Sequence, residues 1–201
     1  MLLSERIQIR TQCNNKQNGT CTYKDIDLIS TAVIITCHNY GCYLTKAIES
    51  ILSQTHFPDE ILIVDDSSTD ATKRIAHQFS KQGVQCFRVE NQRAHLSRYD
   101  GLLATKSDIV LFLDADNTIP PDYIENGLQE FTNPNIGVVY ADLPKFGGRE
   151  ETTNFPEYTV GKLFRENFVD AGSLIRRDAL LNCDAWKDRF DEQLLSEDYW
   201  M

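Results

Sequence analysis

Asp114 and Asp116 are the residues whose type and spacing most directly invite chemistry. They follow the apolar run Leu111-Phe112-Leu113, with Ala115 between them and Asn117 after. Two carboxylates at the end of a buried strand repel one another and are partly desolvated, and both effects disfavour their charged forms. A hard divalent cation relieves both, and it can bridge protein carboxylates to the phosphates of a ligand. The alternative is a solvated turn, in which Asp and Asn serve as local hydrogen-bond acceptors. The triplet by itself leaves both readings open.

Any such pair needs elements to hold it. From Thr31 onward the chain alternates between apolar runs and helical patterns. The runs Ala32–Thr36, Glu60–Val64, Gln85–Val89, Ile109–Leu113 and Ile136–Tyr140 predict buried strands. The spacing predicts helices over Tyr43–Ser53, Thr69–Lys81, Leu96–Thr105 and Pro121–Phe131. The first carries Leu44, Ala47, Ile48, Ile51 and Leu52 on one face, Thr69 and Asp70 cap the second, and Pro120-Pro121 opens the fourth. Continuous apolar strands separated by helices mean an α/β fold with a mostly parallel central sheet and helices on both faces. In such a sheet the ligand lies beyond the carboxyl ends of the strands. The first predicted strand ends in Thr36-Cys37-His38-Asn39, the second in Asp65-Asp66-Ser67-Ser68 and the fourth in Asp114-Ala115-Asp116. Three polar clusters on one edge favour a site over a chance turn.

Composition narrows the partners. The 201 residues suffice for one sizeable domain, and 41% hydrophobic with 25% charged residues is ordinary for a soluble globular chain. A formal charge of -10 excludes nucleic acid as the main partner, because no basic stripe supplies counterion release. The six cysteines form no CxxC pair and no zinc-spaced cluster, so a reduced, cytoplasmic setting is expected. The first residues lack the apolar core of a signal peptide, and no stretch approaches the roughly 18 apolar residues of a membrane helix. Peripheral association with the inner face of a membrane remains compatible with this. Residues 1–30 are polar and weakly patterned and read as an extension or linker, which leaves 31–201 as the domain.

Five segments, in order, resemble the Rossmann-like GT-A fold nucleotide-sugar glycosyltransferases of family 2. They are TAVIITCHNYG (31–41), ILSQTHFPDEILIVDDSSTDAT (51–72), LSRYDGLLATKSDIVLFLDADN (96–117), AGSLIRRDAL (171–180) and LLSEDYW (194–200). The resemblance covers residues 31–201. It implies transfer of a sugar from a nucleoside-diphosphate donor, UDP by family habit, to the hydroxyl of a saccharide or lipid-linked saccharide with inversion. It also implies that Thr36, His38 and Asn39 line the nucleotide pocket. Asp66 would accept a hydrogen bond from the base edge beside a structural Asp65, and Arg98 would lie near the base or the diphosphate. Asp114 and Asp116 would form the family's DxD and its metal site. Asp116 would be the direct ligand of Mn²⁺ or Mg²⁺, and Asp114 would lie nearer the ribose or a metal-bound water. Asp198, next to Glu197, would be the general base. The ion would stabilise charge on the departing diphosphate, and the carboxylate would take the acceptor's proton.

The chain departs from the family pattern in places. Gln92-Arg93 follows Asn91 where the family often has Gly, and Tyr99 follows Arg98 where Asn is common. Both lie toward the donor sugar, so donor identity is not carried over. Family members usually continue past the equivalent of Met201 with helices over the acceptor side, so the chain is expected to be a fragment or a domain completed elsewhere.

Competing readings are weaker. A phospho-receiver would use Asp65-Asp66 and Asp114, but a complete strand–helix unit precedes the acids and a late Lys-Pro pair is absent. A dinucleotide-binding Rossmann domain lacks its GxGxxG. A degenerate scaffold that binds nucleotide-sugar without turnover is opposed by the intact Asp114, Asp116 and Asp198. His56, His77 and His95 read as surface or loop residues, and Trp186 as packing, while Trp200 could be packing or an acceptor platform. Arg176-Arg177 reads as a solvated helix start or a diphosphate contact. Gly172-Ser173 reads as a close passage past the donor sugar.

Overall fold

The structure, a computed structural model, describes residues 10–13, 26–141, 159 and 171–182. Its strands are β1 (Arg10–Cys13), β2 (Thr31–Cys37), β3 (Glu60–Asp66), β4 (Val84–Val89), β5 (Ile109–Asp114), β6 (Ile136–Tyr140) and β7 (Leu174–Arg176). Its helices are α1 (Gly41–Leu52), α2 (Thr72–Gln78), α3 (Ala94–Ala104), α4 (Tyr123–Glu130) and α5 (Arg177–Leu181). The strands form one sheet in the order β1-β6-β7-β5-β2-β3-β4.

β2 pairs parallel with β3 and β5, and β3 pairs parallel with β4. β7 is inserted antiparallel between β5 and β6, so β6 again runs with β5. The described sheet is thus mostly parallel, as the alternating pattern requires. Two strands were not readable from that pattern. β7 has three residues, and β1 lies within the expected extension yet pairs antiparallel with β6. Ile29, just before β2, is also in the core at 3% exposure.

Winding reverses at β2. β3 and β4 follow on one side, and β5 returns to the other side of β2. A parallel sheet opens a crevice at such a switch point, beyond the strand ends. Strand alternation sorts the core into two layers. Val33, Ile35, Ile61, Ile63, Leu111 and Leu113 pack with buried residues of α1, α2 and α4. Ala32, Ile34, Leu62, Val64, Val110 and Phe112 pack with Leu102 of α3 on the other face.

The helices close as their residues dictate. Leu44, Ala47, Ile48 and Ile51 form the buried face of α1. Asp70 holds the first turn of α2: its Oδ1 accepts from Thr72 N at 2.9 Å and Thr72 Oγ1 at 2.6 Å. Thr69 does not cap, because its Oγ1 as well as its N–H donates to Asn39 Oδ1. α2 stops at Gln78, and a 3-10 turn over Ser80–Gln82 follows, ending at Gly83 with φ +87. α4 begins at Tyr123, whose N–H donates to the Pro120 carbonyl, while the Pro121 carbonyl accepts from Thr55 N. A Cβ at Gly101 would lie 2.4 Å from Ile34 Cγ2, so α3 sits on β2 at a distance only glycine permits. That contact fixes how far Ser97 and Arg98, one turn earlier, stand from the strand ends.

Candidate functional site

The two-residue period divides the polar strand ends. Thr36, Asp66 and Asp114 continue the α3 side of β2, β3 and β5, whereas Cys37 and Asp65 continue the α1–α2 side. Asp65 is buried and structural: Oδ1 accepts from Ser68 N at 2.9 Å, and Oδ2 pairs with Arg88 Nη1 at 3.2 Å. Thr36 and Asp114 are register partners across the switch point, with Thr36 Oγ1 donating to Asp114 Oδ1 at 3.3 Å.

Asp66 is buried and serves a loop. Its Oδ1 accepts from Asn91 N and Gln92 N, both at 2.9 Å, and its Oδ2 from Arg93 N at 3.1 Å and Ser97 Oγ at 2.9 Å. An ionised carboxylate offers about four lone-pair sites, and four donors occupy them. Burial alone would raise the carboxyl, but these hydrogen bonds outweigh it and hold Asp66 below the usual carboxylate range. The base-edge contact implied by the resemblance therefore meets two oxygens already engaged. Asp66 ties the 91–93 turn and the start of α3 to the end of β3.

Asp114 and Asp116 differ sharply. Asp114 Oδ1 accepts from Arg98 Nη2 at 2.9 Å, while its Oδ2 has no protein partner among the described residues. Asp116 is exposed and hydrogen-bonds to no described residue, and the Asp114 carbonyl closes the turn by accepting from Asn117 N at 2.9 Å. Among the described residues, no three His, Cys, Asp or Glu side chains gather as a metal cage. Mg²⁺ commonly takes one or two carboxylates and completes its shell with water and substrate phosphates. A half-engaged aspartate beside a free one fits that donor chemistry.

His38 and Asn39 tie loops together. His38 Nδ1 donates to the Asp66 carbonyl, which can only accept, so its Nε2 accepts from Asn39 Nδ2 at 3.1 Å. Asn39 N donates to Ser68 Oγ at 2.9 Å. Among the described residues the non-glycine positive-φ positions are Asn39, Ser67 and Gln92, each just past the carboxyl end of β2, β3 or β4. Left-handed backbone at non-glycine residues is uncommon and concentrates at ligand sites. Gln92 stands where the family often places glycine, and its φ of +56 supplies the physical reason for that glycine.

Residues 32–180 match the family model described as Glycosyl transferase family 2. The chain belongs to that family. One relative, Glycosyltransferase GlyA of Streptococcus pneumoniae, is 30% identical over 144 residues, 71% of this chain and 20% of that protein. The solved structure of S. aureus TarS 1–349 has a TM-score of 0.70 at 23% identity, covering 85% of this chain and 53% of that one. TarS 1–349 is also known in complex with UDP-GlcNAc, with a TM-score of 0.64 at 22% identity over 85% of this chain and 51% of that one. The mannosyltransferase PcManGT from Pyrobaculum calidifontis, in complex with GDP-Man and Mn²⁺, has a TM-score of 0.52 at 21% identity, over 57% of this chain and 36% of that one. The fold is GT-A, and the resemblance to family 2 is correct, with the family model spanning residues 32–180. The chain spans 20% to 52% of the curated relatives compared.

Several expected residues fall elsewhere. Glu197, Asp198, Trp186 and Trp200 lie outside the described residues. Arg176 is half-buried and lies at the sheet edge opposite Asp114. It pairs in register with Ile109 at the opposite end of β5, and it donates to the carbonyls of Ile136 at 2.7 Å and Phe131 at 2.8 Å. Burial lowers the pKa of its guanidinium. Arg177 N donates to the Asp108 carbonyl at that same end. Gly172 lies at the turn before β7, its carbonyl accepting from Tyr123 Oη at 2.6 Å.

Sequence reasoning missed the supporting residues Asn91, Ser97 and Tyr123. It also missed the second role of Asp70, whose Oδ2 accepts from Gly41 N at 2.9 Å. One carboxylate thus serves the amino termini of α1 and α2, where negative charge is favourable. The Thr72 side-chain hydrogen bond, which outweighs burial, leads the causes that hold Asp70 below the ordinary carboxylate range. The signal available was the fixed distance from a strand end to an acid and a small residue, Asp70 followed by Ala71-Thr72.

Proposed function

We propose that residues 31–201 form the donor-binding and catalytic domain of a metal-assisted, inverting glycosyltransferase. It would move a sugar from a nucleoside diphosphate to the hydroxyl of a saccharide or lipid-linked saccharide. The observation that carries this reading is the asymmetry at the end of β5. Asp116 is exposed and free of described partners, and Asp114 keeps one oxygen open. Asp116 with Asp114 would hold Mn²⁺ or Mg²⁺, and an ion there offers Lewis-acid stabilisation of the charge on a leaving diphosphate. Thr36, His38, Asn39, Arg98 and the 91–93 turn held by Asp66 would wall the nucleotide pocket. Asp198, beside Glu197, would take the proton of the attacking hydroxyl. Inversion follows from a single displacement in which no protein nucleophile takes part.

UDP is the proposed base by family preference. TarS with UDP-GlcNAc and PcManGT with GDP-Man hold different bases on related folds, so the fold alone does not choose. A cytoplasmic setting, with peripheral approach to a membrane for a lipid-linked acceptor, belongs to the same proposal. The free thiols of Cys37, Cys42 and Cys86 support that setting. Among the described residues no helix is long and apolar enough to cross a membrane.

Thermal shifts with UDP, GDP, CDP and dTDP, each with and without Mn²⁺, test the reading. A ligand at 100 times its Kd adds about 2.7 kcal/mol of stability, so one nucleotide should raise Tm and do so more with Mn²⁺. Asp198→Asn should keep that shift and lose sugar transfer. If no nucleoside diphosphate stabilises the protein with Mn²⁺, the reading is wrong.

A further inference from the structure

Asp114 and Asp116 do not start from the same state. Arg98 Nη2 stands 2.9 Å from Asp114 Oδ1, with the Arg98 side chain 11% exposed and that of Asp114 36% exposed. No described cation pairs with Asp116. A guanidinium and a divalent ion compete for the same carboxylate, so the arginine opposes metal at Asp114 for as long as it stays.

The arginine itself is incompletely satisfied there. Its Nε is shielded from solvent and has no hydrogen-bond acceptor. A buried N–H without a partner is destabilising. Movement of the guanidinium toward an incoming anion would satisfy it. Arginine forms paired, planar hydrogen bonds to phosphate, so a nucleoside diphosphate offers the guanidinium more than one carboxylate oxygen does.

We propose that Arg98 is a positioning counter-ion that occupies Asp114 until the nucleotide arrives and then moves to the anionic ligand, so that metal binding waits on the nucleotide. This rests on the function proposed above. Before loading, Arg98 offsets the charge of Asp114, the less exposed of the pair, and lets two carboxylates persist at one strand end. After loading, Asp114 regains its full negative charge beside Asp116, and its open Oδ2 no longer competes with a guanidinium for the cation. By linkage, the nucleotide then tightens the metal by the same factor as the metal tightens the nucleotide.

The test is Mn²⁺ binding by the full chain, read from the free-ion electron paramagnetic resonance signal, with and without UDP. Wild type should bind Mn²⁺ alone weakly, and UDP should tighten it roughly tenfold or more, the scale on which an adjacent opposite charge alters a carboxylate's affinity for a cation. Arg98→Gln should bind Mn²⁺ alone roughly tenfold more tightly than wild type, and Arg98→Lys should stay near wild type. A static arginine would repel the cation equally with and without UDP, so UDP should tighten Mn²⁺ less in Arg98→Gln than in wild type, and an equal factor in both overturns the proposal. A folded Arg98→Gln that binds Mn²⁺ alone no more tightly than wild type overturns the proposal. So does a wild type whose Mn²⁺ affinity is indifferent to bound UDP, a result that needs no variant. In either case intact binding of UDP with Mn²⁺ leaves the proposed function standing, whereas loss of all such binding by wild type removes both.

Discussion

The two edges of one sheet both carry acids and use them differently. At the amino edge, Asp59 Oδ2 accepts from Thr31 N at 2.7 Å. Glu60 Oε1 accepts from Thr105 Oγ1 at 2.6 Å and Ser107 Oγ at 2.8 Å. Asp108 Oδ2 accepts from Ser30 N and Oγ, both at 3.1 Å. Each of these carboxylates ties the amino end of one strand to that of another. At the carboxyl edge Asp65, Asp66 and Asp70 are tied in the same way, Asp114 is half engaged, and Asp116 is left open among the described residues. The left-handed non-glycine residues of the described chain also gather at this edge. An acid at a strand end therefore says little alone. Whether the protein already uses its oxygens separates scaffold from site.

The largest effect expected on the scaffold side is at Asp66. Asp66→Asn turns one acceptor into a donor that faces existing donors, and hydrogen bonds to a charged group contribute about 1.5–3 kcal/mol each. The variant should lose about 3 kcal/mol, a drop in Tm of roughly 6–12 °C for a chain of this size. Asp66 has a folded-state pKa below its unfolded one, so its contribution is complete above the unfolded value of about 3.9 and is lost as pH falls through the lower folded value. Urea unfolding from pH 7 to pH 3 should show the gap between wild type and variant closing only at the acid end. An unchanged Tm with weakened nucleotide binding would return Asp66 to the base edge and erase its place in the comparison.

Glu60 should give a smaller effect of the same kind at the other edge. Burial alone would raise its carboxyl, but the hydrogen bonds from Thr105 and Ser107 outweigh that and lower it. Glu60→Gln should cost about 1–2 kcal/mol of stability and leave nucleotide binding unchanged. The smallest effect is expected at Gln92. Relieving a left-handed non-glycine residue gains about 1–2 kcal/mol, less the greater entropy that glycine loses on folding. Gln92→Gly should therefore raise Tm by only a few degrees, measured by calorimetry.

Much of this comparison was legible from the residues. The apolar runs located five strands, and in β2, β3 and β5 burial on both faces demands the continuous hydrophobicity that made them readable. The strand-end rule then gathered Thr36, Asp66 and Asp114 on one edge before any coordinates. β7 escaped because Leu174-Ile175-Arg176 is too short to show a period, and its insertion between β5 and β6 is a tertiary choice. β1 escaped because four residues in a polar segment gain their strand identity only from β6. Arg176 was misplaced for a related reason, since only the register with Ile109 reveals which edge it occupies. The role of Asp66 was hidden because three of its four donors are backbone N–H groups, which no side-chain pattern encodes.

The most direct test of the central claim is isothermal titration of UDP with Mn²⁺ into wild type and Asp116→Ala, with thermal unfolding of both proteins beside it. An exposed residue without described partners should leave stability within about 0.5 kcal/mol of wild type. Loss of a metal ligand should weaken Mn²⁺-dependent UDP binding by roughly 100-fold or more, at or beyond the effect of removing an outer-shell partner. Asp116→Ala that binds UDP with Mn²⁺ as tightly as wild type does would contradict the account.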